Sequence, residues 1–171
     1  MVKRSFLTEL DRGVEGEVDL IAYFQSRGFT IEDWAETEAA VTNKGPKING
    51  FIKPDLLVSK DGNKYWVDSK RKDAPVFYGK AREWRHGIDS KCYWEYLGVE
   101  HSTSIPVWIA FIEPYNPAYQ DAYSRKLGID LPIGGVWFVP LDAQPVKQDY
   151  SIKKRYDMVY WDRAIMRKEI L

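Results

Sequence analysis

A single cysteine, Cys92, and two histidines, His86 and His101, are all the thiol and imidazole this chain of 171 residues offers. No internal disulfide can form, and a structural zinc site lacks ligands. Long apolar runs are missing too, so no helix is expected to cross a bilayer. The first residues, Met1 to Asp11, hold no apolar stretch of the kind a secretory leader needs. The expectation is a soluble, intracellular (cytoplasmic) protein. Repeats, low-complexity tracts and linkers rich in Gly, Pro or Ser are absent, so the chain reads as one domain over residues 1–171. Ala74 stands where a phosphate-binding P-loop ending in Gly79-Lys80 needs its first glycine. There is no Gly-x-Ser-x-Gly nucleophile elbow.

What the chain does have is an ordinary globular balance, 44% hydrophobic and 29% charged, which excludes a wholly disordered chain. Net charge is zero, but the charges are unevenly spread. Residues 1–40 hold four Lys and Arg against nine Asp and Glu. Residues 70–91 reverse this with seven against three, and residues 147–171 hold seven against four. An acidic segment beside basic ones suits a cation site next to a phosphate-binding surface. A solvated surface whose charges cancel is the plainer explanation of the same counts. The run Lys153-Lys154-Arg155 reads as such a solvated face.

Residues 13–27 have the period of an amphipathic helix stopped by Gly28. Val14, Val18, Leu20, Ile21 and Phe24 fall on one side, and Glu15, Asp19, Tyr23 and Ser26 on the other. Phe29 to Ile31 starts a short strand, and residues 42–53 form a loop rich in turn formers. Lys53 to Val58 and Lys64 to Lys70 read as two strands of a hairpin, because Asp61-Gly62 lies between them. Residues 79–97 read as mostly helical, with a break at Gly87. Ile105 to Ile112 is a continuous apolar strand, central in its sheet. Gly135 to Leu141 is another strand, and Tyr156 to Trp161 is an edge strand followed by a short basic helix. His86 and His101 read as surface or polar-packing residues, and Cys92 as a buried small hydrophobe. Strands mixed with helices give an α/β fold with a mixed sheet.

The hairpin fixes a register. If Asp61 and Gly62 are the central residues of a type I′ turn, Lys60 faces Asn63, Asp55 faces Asp68 and Lys53 faces Lys70. Side chains alternate along a strand, so Asp68 and Lys70 share a face and Ser69 points to the other. Two carboxylates set directly opposite repel by about 4 kcal/mol at ~4 Å and an effective dielectric near 20. The available compensators are Lys70, a bound cation or a raised pKa. Glu17 joins them, as the glutamate that falls inside the apolar arc of the first helix. Each of these residues alone has a structural explanation: a strand-start aspartate, a salt bridge, a glutamate whose stem covers apolar surface. Together they place three hard oxygen ligands and a lysine in one region. That chemistry suits Mg²⁺ or Mn²⁺ and phosphodiester hydrolysis by a metal-activated water.

Pro54-Asp55 followed by Asp68-Ser69-Lys70 resembles the PD-(D/E)xK nuclease superfamily, and within it the archaeal Holliday-junction resolvases. The helix from Glu17 to Gly28-Phe29 is similar to their opening helix. The resemblance covers residues 13–112, leaving 113–171 as a C-terminal β/α elaboration. It departs from the commoner pattern by aspartate in place of glutamate at 68, and by a long loop over 39–53. It implies a restriction-endonuclease-like core, a mixed β-sheet flanked by helices. It further implies that Glu17, Asp55, Asp68 and the Ser69 carbonyl hold Mg²⁺, with Mn²⁺ as the other option, and that Lys70 assists the water. DNA is the implied partner, and a homodimer follows because junction cutters need two sites. Arg71, Lys72, Lys80, Arg82, Arg85 and Lys91 come next in the chain, where phosphates flanking a scissile bond would lie. The contending function is a nucleic-acid-binding or assembly module on a nuclease-like fold with weak or no catalysis.

Overall fold

The computed structural model describes residues 6–34, 46–117, 134–146 and 157–169, with 121, 124, 125 and 128 between them; for residues 6–14 the backbone alone is described. Helix α1 runs from Phe6 to Ser26. Strand β1 (Thr30–Trp34) follows, then β2 (Lys47–Ile48), β3 (Phe51–Ile52), β4 (Leu56–Lys60), β5 (Asn63–Arg71), β6 (Val76–Tyr78) and β7 (Glu83–Asp89). Helix α2 (Ser90–Thr103) leads to β8 (Val107–Glu113), β9 (Gly135–Pro140), β10 (Met158–Asp162) and β11 (Arg167–Glu169). The main sheet has six strands in the order β1-β4-β5-β8-β9-β11. Only its β5–β8 pair is parallel, and α2 lies in the connection between those two strands. A second sheet, β10-β7-β6, is antiparallel. The expected run Lys153-Lys154-Arg155 and much of the loop 39–53 lie outside the described residues.

The β4–β5 hairpin has the register read from its turn. Asp61 and Gly62 both have positive φ, 51° and 79°, as a type I′ turn requires. The pairs Lys60↔Asn63 through Leu56↔Val67 follow from it. Val67 and its odd-numbered neighbours face α1, while Trp66 and the even-numbered ones face α2. Two cores result, one on each side of the sheet. Leu20, Phe24, Leu56, Val58, Ala110 and Phe138 fill the α1 side; Trp66, Tyr96, Val99, Phe111 and Trp161 belong to the other. Strand β8 is buried along nearly its whole length and has a strand on each side, as its unbroken apolar run suggests.

Helix α1 starts earlier than its amphipathic period indicates, and its inward stripe includes the expected Leu20 and Phe24 but not Val18. Gly16, Leu20 and Phe24 are buried at four-residue spacing, with Gly16 against Ile112 and Arg71. Val18 is 51% exposed, while Tyr23 packs against Phe24 and Phe138. Within the loop expected over 42–53, Lys47–Ile48 and Phe51–Ile52 pair as a small hairpin around Asn49-Gly50.

The expected helix over 79–97 is a larger correction. Residues 83–89 are a strand, and α2 begins at Ser90. Asp89 caps that helix, its carboxylate accepting from Lys91 N. Residues 83–89 are extended because β10, some seventy positions along the chain, pairs with all of Arg85 to Asp89. A distant strand overrides local helix propensity here. The short basic helix expected after β10 is a single 3₁₀ turn, Arg163–Ile165, followed by β11, which pairs with β9. His86 is buried at the far end of this region, with Nε2 2.6 Å from Glu113 Oε1 and its ring stacked on Phe111. Glu113 also accepts from Gly134 N and from Arg163.

Gly87 distinguishes the strand from the helix experimentally. A Cβ at this position would lie 2.5 Å from the Tyr160 ring and 2.7 Å from the Val159 carbonyl. In a helix, Gly87→Ala would stabilise the protein. In the strand it must force β7 and β10 apart, so we expect the urea midpoint to fall by the equivalent of about 1–3 kcal/mol. A midpoint that rises would contradict the β7–β10 pairing.

Candidate functional site

Asp68 is the centre of the site. It is 1% exposed and faces α2 from β5, with β8 alongside. Tyr96, one of the two buried residues of α2, donates its hydroxyl to Asp68 Oδ1 at 2.5 Å. Lys70, two residues along β5 and therefore on the same face, sets its ammonium 2.5 Å from Oδ2. That contact is an ion pair, without the angular geometry of a hydrogen bond. Burial pushes the Asp68 carboxyl up to about 6, against the opposing pull of Lys70; the Asp55 charge adds to the rise, and the Tyr96 hydrogen bond opposes it. For Lys70, 29% exposed, burial works against the charge. The charges of Asp68, Tyr96 and Asp55 outweigh burial, and the ammonium is held well above its ordinary range.

Asp55 is placed by the end of a ladder. Pairing of β4 with β5 stops at Leu56↔Val67, so the expected direct opposition of Asp55 and Asp68 is not formed. Asp55 turns its Oδ2 instead onto Ser69, accepting from the backbone N–H at 2.7 Å and from Oγ at 2.9 Å. A carboxylate thereby satisfies a strand N–H that has run out of partner strand. Lys53 does not meet Lys70 across the hairpin either; it pairs with Asp33 at 2.9 Å.

Glu17 reaches the same region from α1. Its Oε2 accepts from Trp34 Nε1 at 3.2 Å. Half-burial raises its pKa to about 7, with the Asp55 charge second and Asp68 a smaller contributor, while Trp34 and Lys70 oppose them. The four residues singled out in the sequence therefore act on one another electrostatically in the fold. Glu17 and Asp55 each have one oxygen held by protein donors, while both oxygens of Asp68 are engaged, by Tyr96 and Lys70. Among the described residues, however, no group of three or more His, Cys, Asp or Glu closes to the distances of a metal cage. The donor types themselves, oxygen only and three carboxylates to one ammonium, suit a hard divalent cation.

The basic residues after the motif are dispersed. Lys72 is half-buried, and burial lowers its ammonium, helped by the charge of Lys70. Arg71 lies on the other face and pairs with Glu15 at 2.9 Å. Lys80 and Arg82 occupy the exposed turn between β6 and β7, and Lys91 is exposed in the first turn of α2. Arg85 is buried, bonded to Glu83 at 2.6 Å and stacked over Tyr78. Neither Tyr96 nor Trp34 was given a place at the site from the sequence. Their contacts depend on pairings across the fold: β1 with β4 for Trp34, and the seat of α2 on the sheet for Tyr96.

No family model matches this sequence, and no curated protein does. A solved structure does resemble the chain. It is the 1.6 Å structure of Hjc from Archaeoglobus fulgidus, described as a Holliday junction resolvase from an archaeal hyperthermophile. The two share 11% identity and a TM-score of 0.56, over 91% of this chain and 95% of that one. The likeness shows the fold, which is restriction-endonuclease-like, a mixed α/β structure around a mixed sheet. The likeness covers 91% of this chain, more than residues 13–112 alone would account for. Among the described residues, no helix is long and apolar enough to cross a membrane.

The raised carboxyls give a pH dependence of definite sign. Glu17 titrates at about 7 in the fold against 4.5 in the unfolded chain. The native state therefore holds the proton longer, and stability falls as pH rises through that window. Glu17→Gln removes the effect. In EDTA, the variant and wild type should have similar urea midpoints near pH 4. By pH 8 the variant should be more stable by about 1–2 kcal/mol, after allowance for solvent screening. A difference that does not change with pH would mean that neither burial nor the other two carboxylates raises the Glu17 carboxyl.

Proposed function

We propose that the protein is a metal-dependent DNA endonuclease that hydrolyses phosphodiester bonds, with branched or junction DNA as substrate. The observation that carries this reading is the electrostatic coupling of Glu17, Asp55, Asp68 and Lys70, brought together from α1, the β4 entry and β5. The likeness to a solved resolvase supports it at the level of fold.

In this reading Glu17, Asp55, Asp68 and the Ser69 carbonyl hold Mg²⁺, or Mn²⁺ in its place. When bound, the ion supplies a Lewis acid for a phosphate oxygen and an acidified water. The chain's own part is orientation. Tyr96 fixes the Asp68 carboxylate, Ser69 fixes that of Asp55 through two hydrogen bonds, and Trp34 fixes that of Glu17. Lys70, kept charged by its neighbours, positions a water and faces the negative charge that grows on the phosphate. Lys72, Lys80, Arg82 and Lys91 contact flanking phosphates, giving position rather than sequence preference; Arg71, on the other face, is paired with Glu15. Arg85 is left out because Glu83 and Tyr78 already occupy it. A homodimer fits a junction substrate, since cutting both exchanging strands needs two sites.

A binding module without catalysis is the second reading. What favours it is that Lys70 already neutralises Asp68 and that the described carboxylates do not close into a cage.

The two readings separate in one experiment. Labelled single strand, duplex, flap and four-way junction are incubated with wild type, Asp68→Asn and Lys70→Ala, in Mg²⁺, Mn²⁺ or EDTA. We expect metal-dependent cutting, strongest on the junction, and a loss of about 10²–10³-fold in each variant. Lys70→Ala should still bind the junction, with an affinity that drops steeply as salt is raised. Binding without cutting of any substrate in either metal would establish the second reading.

A further inference from the structure

The other face of the main sheet carries a second feature that the carboxylate site does not use. Between the C-terminal half of α1 and strands β4, β5, β8 and β9 lies a cavity of about 350 Å³, within the range of small-molecule sites at roughly 300–1,000 Å³. It is distinct from the carboxylates for two reasons. Strand alternation puts its Tyr65 and Val67 on the face opposite Asp68 and Lys70. Along α1, its Arg27 is ten residues, about 15 Å, from Glu17.

The floor is apolar, formed by Val58, Val67 and Phe138. The walls are aromatic. Tyr65 stands edge-on to Trp108 with centroids 6.5 Å apart, and Tyr23 and Phe29 line the helix side. All four rings are only half-buried, so the core leaves ring surface uncovered here.

The mouth is cationic. Arg27, Lys60 and Arg167 all line it. A single carboxylate, Glu169, pairs with both arginines, at 3.2 and 2.6 Å. Lys60 donates to the Arg27 carbonyl at 2.7 Å and lies over the Phe29 ring. That contact gives Lys60 a structural purpose at the C-terminus of α1. The Arg27 guanidinium lies over the Tyr23 ring, but both arginine side chains stay largely exposed, at 52% and 75%, and share one counter-ion. Close by, Lys64 and Glu32 pair with each other and add no net charge.

Ring surface inside and surplus guanidinium at the mouth together select a ligand that is aromatic at one end and anionic at the other. The geometry points to a binding site for one 5′-phosphorylated nucleotide, its base against Tyr65 and Trp108 and its phosphate on Arg27 and Arg167. A neutral aromatic would leave the arginines without a partner, and phosphate alone would leave the rings uncovered. A free mononucleotide and the phosphorylated end of a strand present this same chemistry. The inference stands whether or not the carboxylate site cuts DNA.

The test is calorimetric titration of the full chain in EDTA with each deoxynucleoside 5′-monophosphate, with deoxyadenosine and with inorganic phosphate. We expect saturable binding of at least one monophosphate with Kd below about 1 mM, and binding at least about tenfold weaker for the nucleoside and for phosphate. The exposed pair Arg27→Gln with Arg167→Gln should raise the Kd about tenfold or more, and so should Tyr65→Leu, which keeps an apolar side chain on the strand. Competition by a 5′-phosphorylated oligonucleotide but not its 5′-hydroxyl form assigns the site to a strand end; competition by neither assigns it to the free nucleotide. No saturable binding of any monophosphate overturns the proposal. So does binding that survives both sets of variants and disappears with Lys70→Ala, which would locate the nucleotide at the carboxylates.

Discussion

A carboxylate buried to 1% exposure inside a sheet is the constraint around which this structure is organised. Left alone, the Asp68 charge would carry a desolvation penalty of several kcal/mol. Two groups offset it, and both constrain the fold. Lys70 must lie on the same face of the same strand, which fixes the order Asp-x-Lys. Tyr96 must bring its hydroxyl to Oδ1, which fixes the rotation of α2 over β5 and β8. A well-packed apolar side chain at position 68 would serve stability at least as well as this arrangement. The carboxyl still stands raised, at about 6, because burial and the Asp55 charge together outweigh the two partners.

The sequence was most informative where one local signal determines many positions. Asp61-Gly62 names a turn type, the turn type names a register, and the register puts Asp68 and Lys70 on one face. Glu17 stood out because a glutamate inside an apolar arc violates the pattern around it, even though that arc was misjudged at Val18. Reading failed where partners lie far apart in the chain. Nothing within residues 79–97 announces that β10 will pair with Arg85 to Asp89. Asp89, a good helix cap, did mark where α2 begins, and was passed over. Asp55 was expected opposite Asp68 because a regular ladder was extended one pair too far.

Charge counting along the chain also overstated the basic surface. Of the cations between residues 70 and 91, Lys70 is committed to Asp68, Arg71 to Glu15 and Arg85 to Glu83. The acidic partners of Lys70 and Arg85 lie two residues away, and that of Arg71 lies on α1. The acidic opening segment and the basic middle one are thus partly a matched pair across the α1–β5 contact. The exposed cations of this stretch are Lys80 and Arg82 at a hairpin turn and Lys91 at a helix start. A nucleic-acid surface built from these would be a few discrete points on three elements, which suits recognition of a shape better than tracking of a uniform duplex.

The position of the site follows from where the sheet stops. Strand β4 ends its pairing at Leu56, while β5 runs on to Arg71 with β8 alone beside it. Beyond that point the β4 side of β5 offers N–H groups without a neighbouring strand, and Asp55 takes the one from Ser69. Had β4 continued, a strand backbone would fill the space in which the Asp55 carboxylate now sits and toward which Glu17 reaches from α1. Had β5 stopped with β4, Lys70 would have no scaffold. A staggered ladder end gives a rigid strand on one side and room for the Asp55 carboxylate on the other. The same pleat that aims Asp68 and Lys70 at α2 aims Tyr65 and Val67 at α1. One strand therefore serves two unlike surfaces without either interfering with the other: an anionic one where its partner has ended, and an aromatic, cationic one where its partner is still present.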